Sequence, residues 1–407
     1  MDKTTRLRKV EVLKGGISLS AGVVAAILLL ILGACAPTPP VVSPPPPPLV
    51  VEELPPLCKS DWEEIPGWDT DRVSEAMEAF ERSCTVLKRQ PGWAEVCALA
   101  SEVEQDDAAV RAFFQHYFTP WLLQHADGST QGTITGYYVP DLDASREPDA
   151  DYRYPILGRP ADMLVIDLAS VYPELGKYRL RGRVENGRVV PYWDRAAIEA
   201  DRQRIAAAPL FWVQDPVELF FLHIQGSGRV NLTDGSQVML NYADQNGHPY
   251  RSIGKLLLER NEMTRDQMSM QNIARWGRQN PDKIDQLLNE NPSYVFFTPQ
   301  PMTAVTPPGA QGVPLTPERS LAVDRSYVPM GAPVFIDTRW PRVDKPLQRL
   351  MVAQDTGGAI KGRVRADFFW GVGDGAGWQA GAMKYPGSMW VLLPHALGPE
   401  LLQGAQR

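Results

Sequence analysis

An α+β fold, mainly β with helices, is what the sequence predicts. Its 407 residues include 37 Pro and 33 Gly, which favours short strands and turns over long helices. Helical spacing of apolar residues is confined to residues 71–125 and 255–289, and elsewhere short β-rich runs alternate with Gly, Pro and Asp. With 44% hydrophobic and 22% charged residues, the chain has enough apolar side chains for two or three domains. Whole-chain disorder and fibrous architectures are excluded.

The N-terminus reads as an address. Lys3, Arg6, Arg8, Lys9 and Lys14 outweigh Asp2 and Glu11, and the uncharged run Gly15–Ala34 follows, with its apolar heart at Val23–Leu32. This is the pattern of a bacterial secretory signal covering residues 1–34. The ending Leu32-Gly-Ala-Cys35 resembles the lipobox of bacterial lipoproteins, and that resemblance implies lipidation of Cys35. An uncleaved membrane anchor is the alternative, since about 20 apolar residues span a bilayer. Ala36 after the Cys implies, by the lipoprotein sorting rule, a lipid-anchored protein in the outer membrane facing the periplasm. Residues 35–57 form a Pro-rich tether around Pro44–Pro48. At about 3 Å per residue in polyproline II, it reaches roughly 60 Å. Beyond residue 34 the chain carries 36 Lys and Arg against 46 Asp and Glu, a net charge of −10, which argues against nucleic acid as a partner.

Three cysteines remain after Cys35. Val73, Met77, Phe80, Cys84 and Leu87 repeat at helical spacing behind Thr70, and Cys97 falls early in a second helix after the break Gln90-Pro-Gly92. An antiparallel helix pair would let Cys84 meet Cys97, closing a short loop for about 3 kcal/mol. Cys58 is an alternative partner. Val110, Phe113, Phe114, Tyr117 and Phe118 make a further helical stripe before Pro120. Strands are then expected at Thr133–Val139, Met163–Asp167, Lys177–Arg183, Phe211–Val213 and Leu219–Gln225, a texture that suits a small barrel or sandwich. Helices return at Lys255–Arg260, Arg265–Arg278 and Asp282–Asn289. Strands follow at Tyr294–Thr298, Leu321–Val323, Val334–Asp337, Arg349–Gln354, Asp367–Trp370 and Met389–Leu393.

Five His, no HExxH and no Cys/His cluster at zinc spacing leave no expectation of a metal or other cofactor. His223-Ile-Gln-Gly-Ser-Gly228 lacks the spacing of a serine-nucleophile elbow and reads as a polar strand end. Gly371–Gly377 lacks the Lys-Ser/Thr of a phosphate loop and reads as a flexible turn. The chemistry-bearing tract is Asp355-Thr-Gly-Gly-Ala-Ile-Lys-Gly-Arg-Val-Arg-Ala-Asp367-Phe-Phe-Trp-Gly371. One carboxylate ends a strand at a Gly-rich turn. A second opens the next strand beside three aromatics, which could raise an acid's pKa or face a sugar ring. Carboxylates suit glycosidic chemistry, where the leaving oxygen must be protonated.

This tract resembles the C-terminal signature of the membrane-bound lytic murein transglycosylase A family. The resemblance extends to Thr135-Gly-Tyr-Tyr-Val-Pro140, Gln225-Gly-Ser-Gly228, Tyr242–Gly254, Asn291–Phe297 and Asp324-Arg-Ser326, in order over residues 133–394. It implies a double-psi β-barrel catalytic domain with helices (58–139 and 236–394), an inserted small β-barrel domain (140–235) and a C-terminal tail (395–407). It further implies non-hydrolytic cleavage of the MurNAc–GlcNAc bond of peptidoglycan glycan strands, leaving 1,6-anhydro-MurNAc ends. The family's catalytic Asp matches Asp367 and a second family Asp matches Asp355. The two stand twelve apart here, one more than in the family pattern. Expected glycan contacts are Gln225, Ser227, Asn246, Tyr250, Ser252, Lys361 and Trp370, and cell-wall synthesis or lysis proteins are conceivable partners. The competing expectations are a non-catalytic, expansin-like peptidoglycan-binding lipoprotein and a true hydrolase.

Overall fold

A computed structural model describes residues 53–398, apart from Lys177, Asp266, Thr303 and Ala304. The signal segment, Cys35 and most of the tether lie outside the described residues, as do residues 399–407 of the tail. The fold is mixed α+β, mostly sheet. Among the described residues no helix is long and apolar enough to cross a membrane.

The N-terminal part packs helices Met77–Leu87, Ala94–Ala100 and Asp107–Tyr117 against a barrel-like sheet. The third of these is capped by Asp106, whose carboxylate accepts from the Ala108 and Ala109 amides, both at 2.9 Å. A disulfide joins Cys84 to Cys97 across the first two helices, and Cys58 is an exposed thiol. β1 (Leu57–Lys59) pairs with β2 (Phe118–Leu123), so the apolar stripe expected to stay helical turns into strand at Phe118. Phe118 is extended, and its side chain still packs on Phe80, Phe113 and Phe114. That packing explains why the helical spacing runs on past the helix.

After β3 (Gly132–Val139) the chain builds a second, six-stranded sheet. It uses β4 (Asp141–Ser145) and β5 (Tyr154–Leu157), and β6 (Leu164–Val165), β7 (Arg181–Glu185) and β8 (Arg188–Pro191) form a separate three-stranded sheet. β9 (Pro209–Val213), β10 (Gly228–Leu232), β11 (Gln237–Gln245) and β12 (Val295–Gln300) complete the second sheet in the order β12-β11-β10-β4-β9-β5. Leu219–Gln225, expected as a strand, is the body of helix Pro216–Gln225. Its start is fixed by Asp215, whose carboxylate accepts from the Val217 amide at 2.7 Å, with Pro216 at the first helical position. Its end is fixed by Gly226 at φ +78°, the left-handed cap that Gly supplies without strain, so His223–Gly228 is a helix end. Helices Ile253–Glu259, Met270–Gln279 and Pro281–Asn289 share an apolar core with it through Phe220, Leu257, Ile273 and Leu287.

The chain then returns to the first sheet with β13 (Ser320–Val323), β14 (Pro333–Arg339), β15 (Pro346–Asp355), β16 (Arg365–Val372) and β17 (Lys384–Pro394). The order is β1-β2-β17-β14-β15-β13-β16-β3, and an additional β17–β3 pairing brings the run of six strands from β17 to β3 round on itself. Gly371–Gly377 is the lead into helix Asp374–Ala380, which packs on β3 and β16. Arg319, almost fully buried, ties this barrel to the N-terminal helices. It donates to Asp71 at 2.9 Å, to Glu75 at 2.8 Å and to the Leu350 carbonyl at 2.8 Å.

Candidate active site

The strand register sets the site. Ala322 of β13 lies opposite Asp355 of β15 on one side and opposite Asp367 of β16 on the other. Thr135 of β3 is the partner of Asp367, and Lys384 of β17 is the partner of Thr135. Register partners share a face, so these residues form one polar row across the barrel wall. The two Asp Cα atoms are two strand spacings apart, about 10 Å. The alternating residues Ile134, Leu321, Ala366 and Phe368 point the other way and are fully buried in the core.

Asp355 owes its place to a register shift in the β13–β15 ladder. Leu321 pairs with Ala353 and Ala322 with Asp355, leaving Gln354 as the extra residue. Gln354 turns to the first helix, donating to the Ala79 carbonyl at 2.8 Å and to Ser83 Oγ at 2.9 Å, while accepting from Ser320 Oγ at 2.5 Å. The Asp355 carboxylate accepts from the Ala310 amide at 2.9 Å and the Thr356 amide at 2.8 Å. Burial nevertheless pushes it from 3.8 up to about 6, against the pull of those two amides. The buried Tyr137 hydroxyl makes no hydrogen bond of good geometry; burial and the nearby Asp355 and Asp367 charges push its pKa well up.

That shift has a consequence for stability. Between the ordinary carboxyl value and about 6, the folded protein holds a proton that the unfolded chain has released. Stability therefore falls as pH rises through that window and stays lower above it. Asp355→Asn removes the titration, so the variant should gain stability over wild type as pH rises, by on the order of 2 kcal/mol at neutrality. Thermal melts of the two proteins across this window check it; parallel curves would contradict it.

Asp367 is set differently from the expectation that aromatics enclose it. Phe368 and Trp370 face the core, and only Phe369 shares its side of the strand, packed on Tyr137 at 5.1 Å. Asp367 Oδ1 instead accepts from the Thr135 hydroxyl and from Arg365, which also donates to Thr135 Oγ1 at 2.9 Å. Trp370 offers no face to a sugar. It is 6% exposed, packed at tilted angles against Phe368 and Trp340, and its indole lies so close to β3 that a Cβ on Gly136 would meet Nε1 at 2.7 Å.

Three other expected contacts come together. Gln225, Tyr250 and Ser252 line a cavity of about 240 Å³ between the helices of residues 216–279 and β3, with Gly136 and Tyr138 in its wall. Gln225 Oε1 accepts from the Tyr138 amide at 3.2 Å, and Ser252 caps its helix by accepting from the Lys255 amide at 3.2 Å. Neither carboxylate lines this cavity. Ser227 is half-buried in the turn before β10. Asn246 is not a glycan contact. It is 1% exposed, and its amide donates to the Trp193 and Pro292 carbonyls while its oxygen accepts from the Tyr294 amide. Lys361 is exposed, 3.9 Å from Asp324. Thr135, Tyr137 and Arg365 were not expected at the site. A signal for each existed: Arg365 stands two residues before Asp367, on the same face, and Thr135 and Tyr137 alternate along one side of a strand.

Comparison with known proteins gives a consistent picture. Residues 133–298 match the family described as the MltA specific insert domain, and residues 319–393 match the 3D domain. The membrane-bound lytic murein transglycosylase A of Escherichia coli (strain K12) is 34% identical over 281 residues, covering 67% of this chain and 68% of that protein. The crystal structure of MltA from Neisseria gonorrhoeae superposes with a TM-score of 0.74 at 38% identity, covering 84% of this chain and 93% of that one. The structure of E. coli MltA with bound chitohexaose superposes with a TM-score of 0.62 at 29% identity, over 84% and 95% of the two chains.

Proposed function

This chain belongs to the membrane-bound lytic murein transglycosylase A family, and on that premise we propose that it is a peptidoglycan lytic transglycosylase that cleaves the MurNAc–GlcNAc β-1,4 bond without adding water. The observation that carries the reading is the polar row, with Asp367 and Asp355 on one face of the barrel either side of the small Ala322. A relative crystallised with chitohexaose supports a glycan strand as the ligand.

Asp367 is the single acid and base. Protonated, it gives its proton to the glycosidic oxygen as the bond to C1 of MurNAc breaks and positive charge builds on the ring. The resulting carboxylate takes the proton of that sugar's C6 hydroxyl as the oxygen bonds to C1. The enzyme ends in its starting state, and the products are a GlcNAc 4-hydroxyl and a 1,6-anhydro ring. The C6 hydroxyl outcompetes water because it is tethered to the reacting carbon. Asp355, with its carboxyl near 6, limits negative charge beside Asp367 in mildly acid surroundings. Gln225, Tyr250 and Ser252 supply sugar contacts, with Ser227 and Lys361 at the margins.

The barrel is read as a double-psi barrel and residues 140–235 as the inserted domain, which supplies β4, β5, β9 and β10 of the six-stranded sheet, while β11 and β12 come from the chain beyond it. Lipid on Cys35 holds the protein at the outer membrane, facing the periplasm; the relatives' description as membrane-bound supports the anchor. Mass spectrometry of products from purified sacculi tests the function. New ends lighter than reducing MurNAc by one water support it, reducing ends point to a hydrolase, and no release points to a binder.

A further inference from the structure

Asp367 does not stand free on its face of the barrel. The geometry points to Arg365 as a positioning residue for the reaction proposed above, fixing Asp367 through Oδ1, leaving Oδ2 to give and take the proton, and steadying the carboxylate that exists between the two proton transfers. The inference rests on that reaction and on this chain's own side chains. Residues 365 and 367 lie two apart on β16 and therefore on one face. Arg365, Thr135 and Asp367 close a triangle of hydrogen bonds, and the Arg365 guanidinium also donates to the Thr133 carbonyl at 3.4 Å and to that of Ala366. The two charged side chains are 17% and 18% exposed, so water screens the pair only in part. Both donors converge on Oδ1, and Oδ2 accepts no hydrogen bond from the described residues.

Other charged and titratable groups surround the pair. Asp355 comes from β15, Tyr137 from β3 and Lys384 from β17, and Asp324 lies just past the end of β13 with Lys361 beside it. Arg365 is the one bonded directly to Asp367. A guanidinium there favours the charged carboxylate, which steadies the oxygen once its proton has gone to the leaving group. Arg365 thereby sets how the carboxyl is aimed.

The test follows kcat and KM for release of anhydro ends from sacculi, for the full-length wild type, Arg365→Gln and Arg365→Lys. Arg365→Gln should lower kcat at its optimum by about tenfold or more, with KM little changed, because the carboxyl loses its aim. Arg365→Lys keeps the charge and loses the fork, so it should recover only part of kcat, again with KM little changed. Should Arg365→Gln fail to fold, Arg365→Met, which keeps the aliphatic stem, carries the same prediction. A kcat for Arg365→Gln close to wild type, a loss carried by KM instead of kcat, or no recovery of kcat in Arg365→Lys overturns the inference. A wild type that makes no anhydro ends overturns the reaction itself and this inference with it, a result distinct from an active wild type with unmoved variants.

Discussion

Replacing Asp367 with Asn lowers the rate of anhydro-end formation by about 10²–10⁴-fold, the range that one positioned acid–base group contributes, while glycan binding stays close to wild type. Asn fills the same volume, and its oxygen still accepts from Thr135 and Arg365. Fold and groove should therefore survive, and what disappears is the proton. Since one carboxyl serves both half-reactions, no second group on the row can take over. Asp355 stands two strands over, about 10 Å away between Cα atoms, with its carboxylate held by the Ala310 and Thr356 amides. Turnover assays on sacculi paired with a binding measurement on chitohexaose separate the two effects. Activity within tenfold of wild type would mean the acid lies elsewhere.

A second large effect is expected far from the chemistry. Asp71→Ala should cost about 3 kcal/mol, because it leaves the almost fully buried Arg319 with the partly exposed Glu75 as its one remaining carboxylate partner among the described residues. Arg319 keeps Glu75 and two carbonyls but loses its bonds to both Asp71 oxygens. The Leu350 amide loses its acceptor as well, at 2.7 Å. The double variant Asp71→Leu with Arg319→Met should recover much of that loss, since it removes both charges from the core. Urea denaturation midpoints measure this. A single-variant loss below about 1 kcal/mol would mean that water reaches the pair.

Much of the fold was legible where one signal dominated. Phe80, Cys84 and Leu87 mark a true helix, and the strands of 321–393 fall where β-branched and aromatic runs stand between Gly and Pro. The errors have physical causes. Leu219–Gln225 is apolar enough to mimic a buried strand, and the deciding signal was the cap at Asp215-Pro216. Phe118 continues a helical stripe by packing rather than by backbone.

The site was legible in part for a similar reason. A carboxylate at a strand end is visible in sequence, but which face a neighbouring aromatic takes depends on register. Trp370 looked like a sugar platform and is core, whereas Arg365, for which the sequence raised no expectation, holds the acid. Asn246 shows the limit most clearly. Its polar side chain, beside Gly247 in a turn, is consumed by three backbone groups from distant segments, which no local pattern announces.

The most direct test of the central claim is digestion of sacculi in water enriched in oxygen-18, with mass spectrometry of the newly formed MurNAc ends. Attack by the sugar's own C6 hydroxyl predicts anhydro ends with no heavy oxygen. Reducing ends carrying the label would show that water is the nucleophile and would contradict the account.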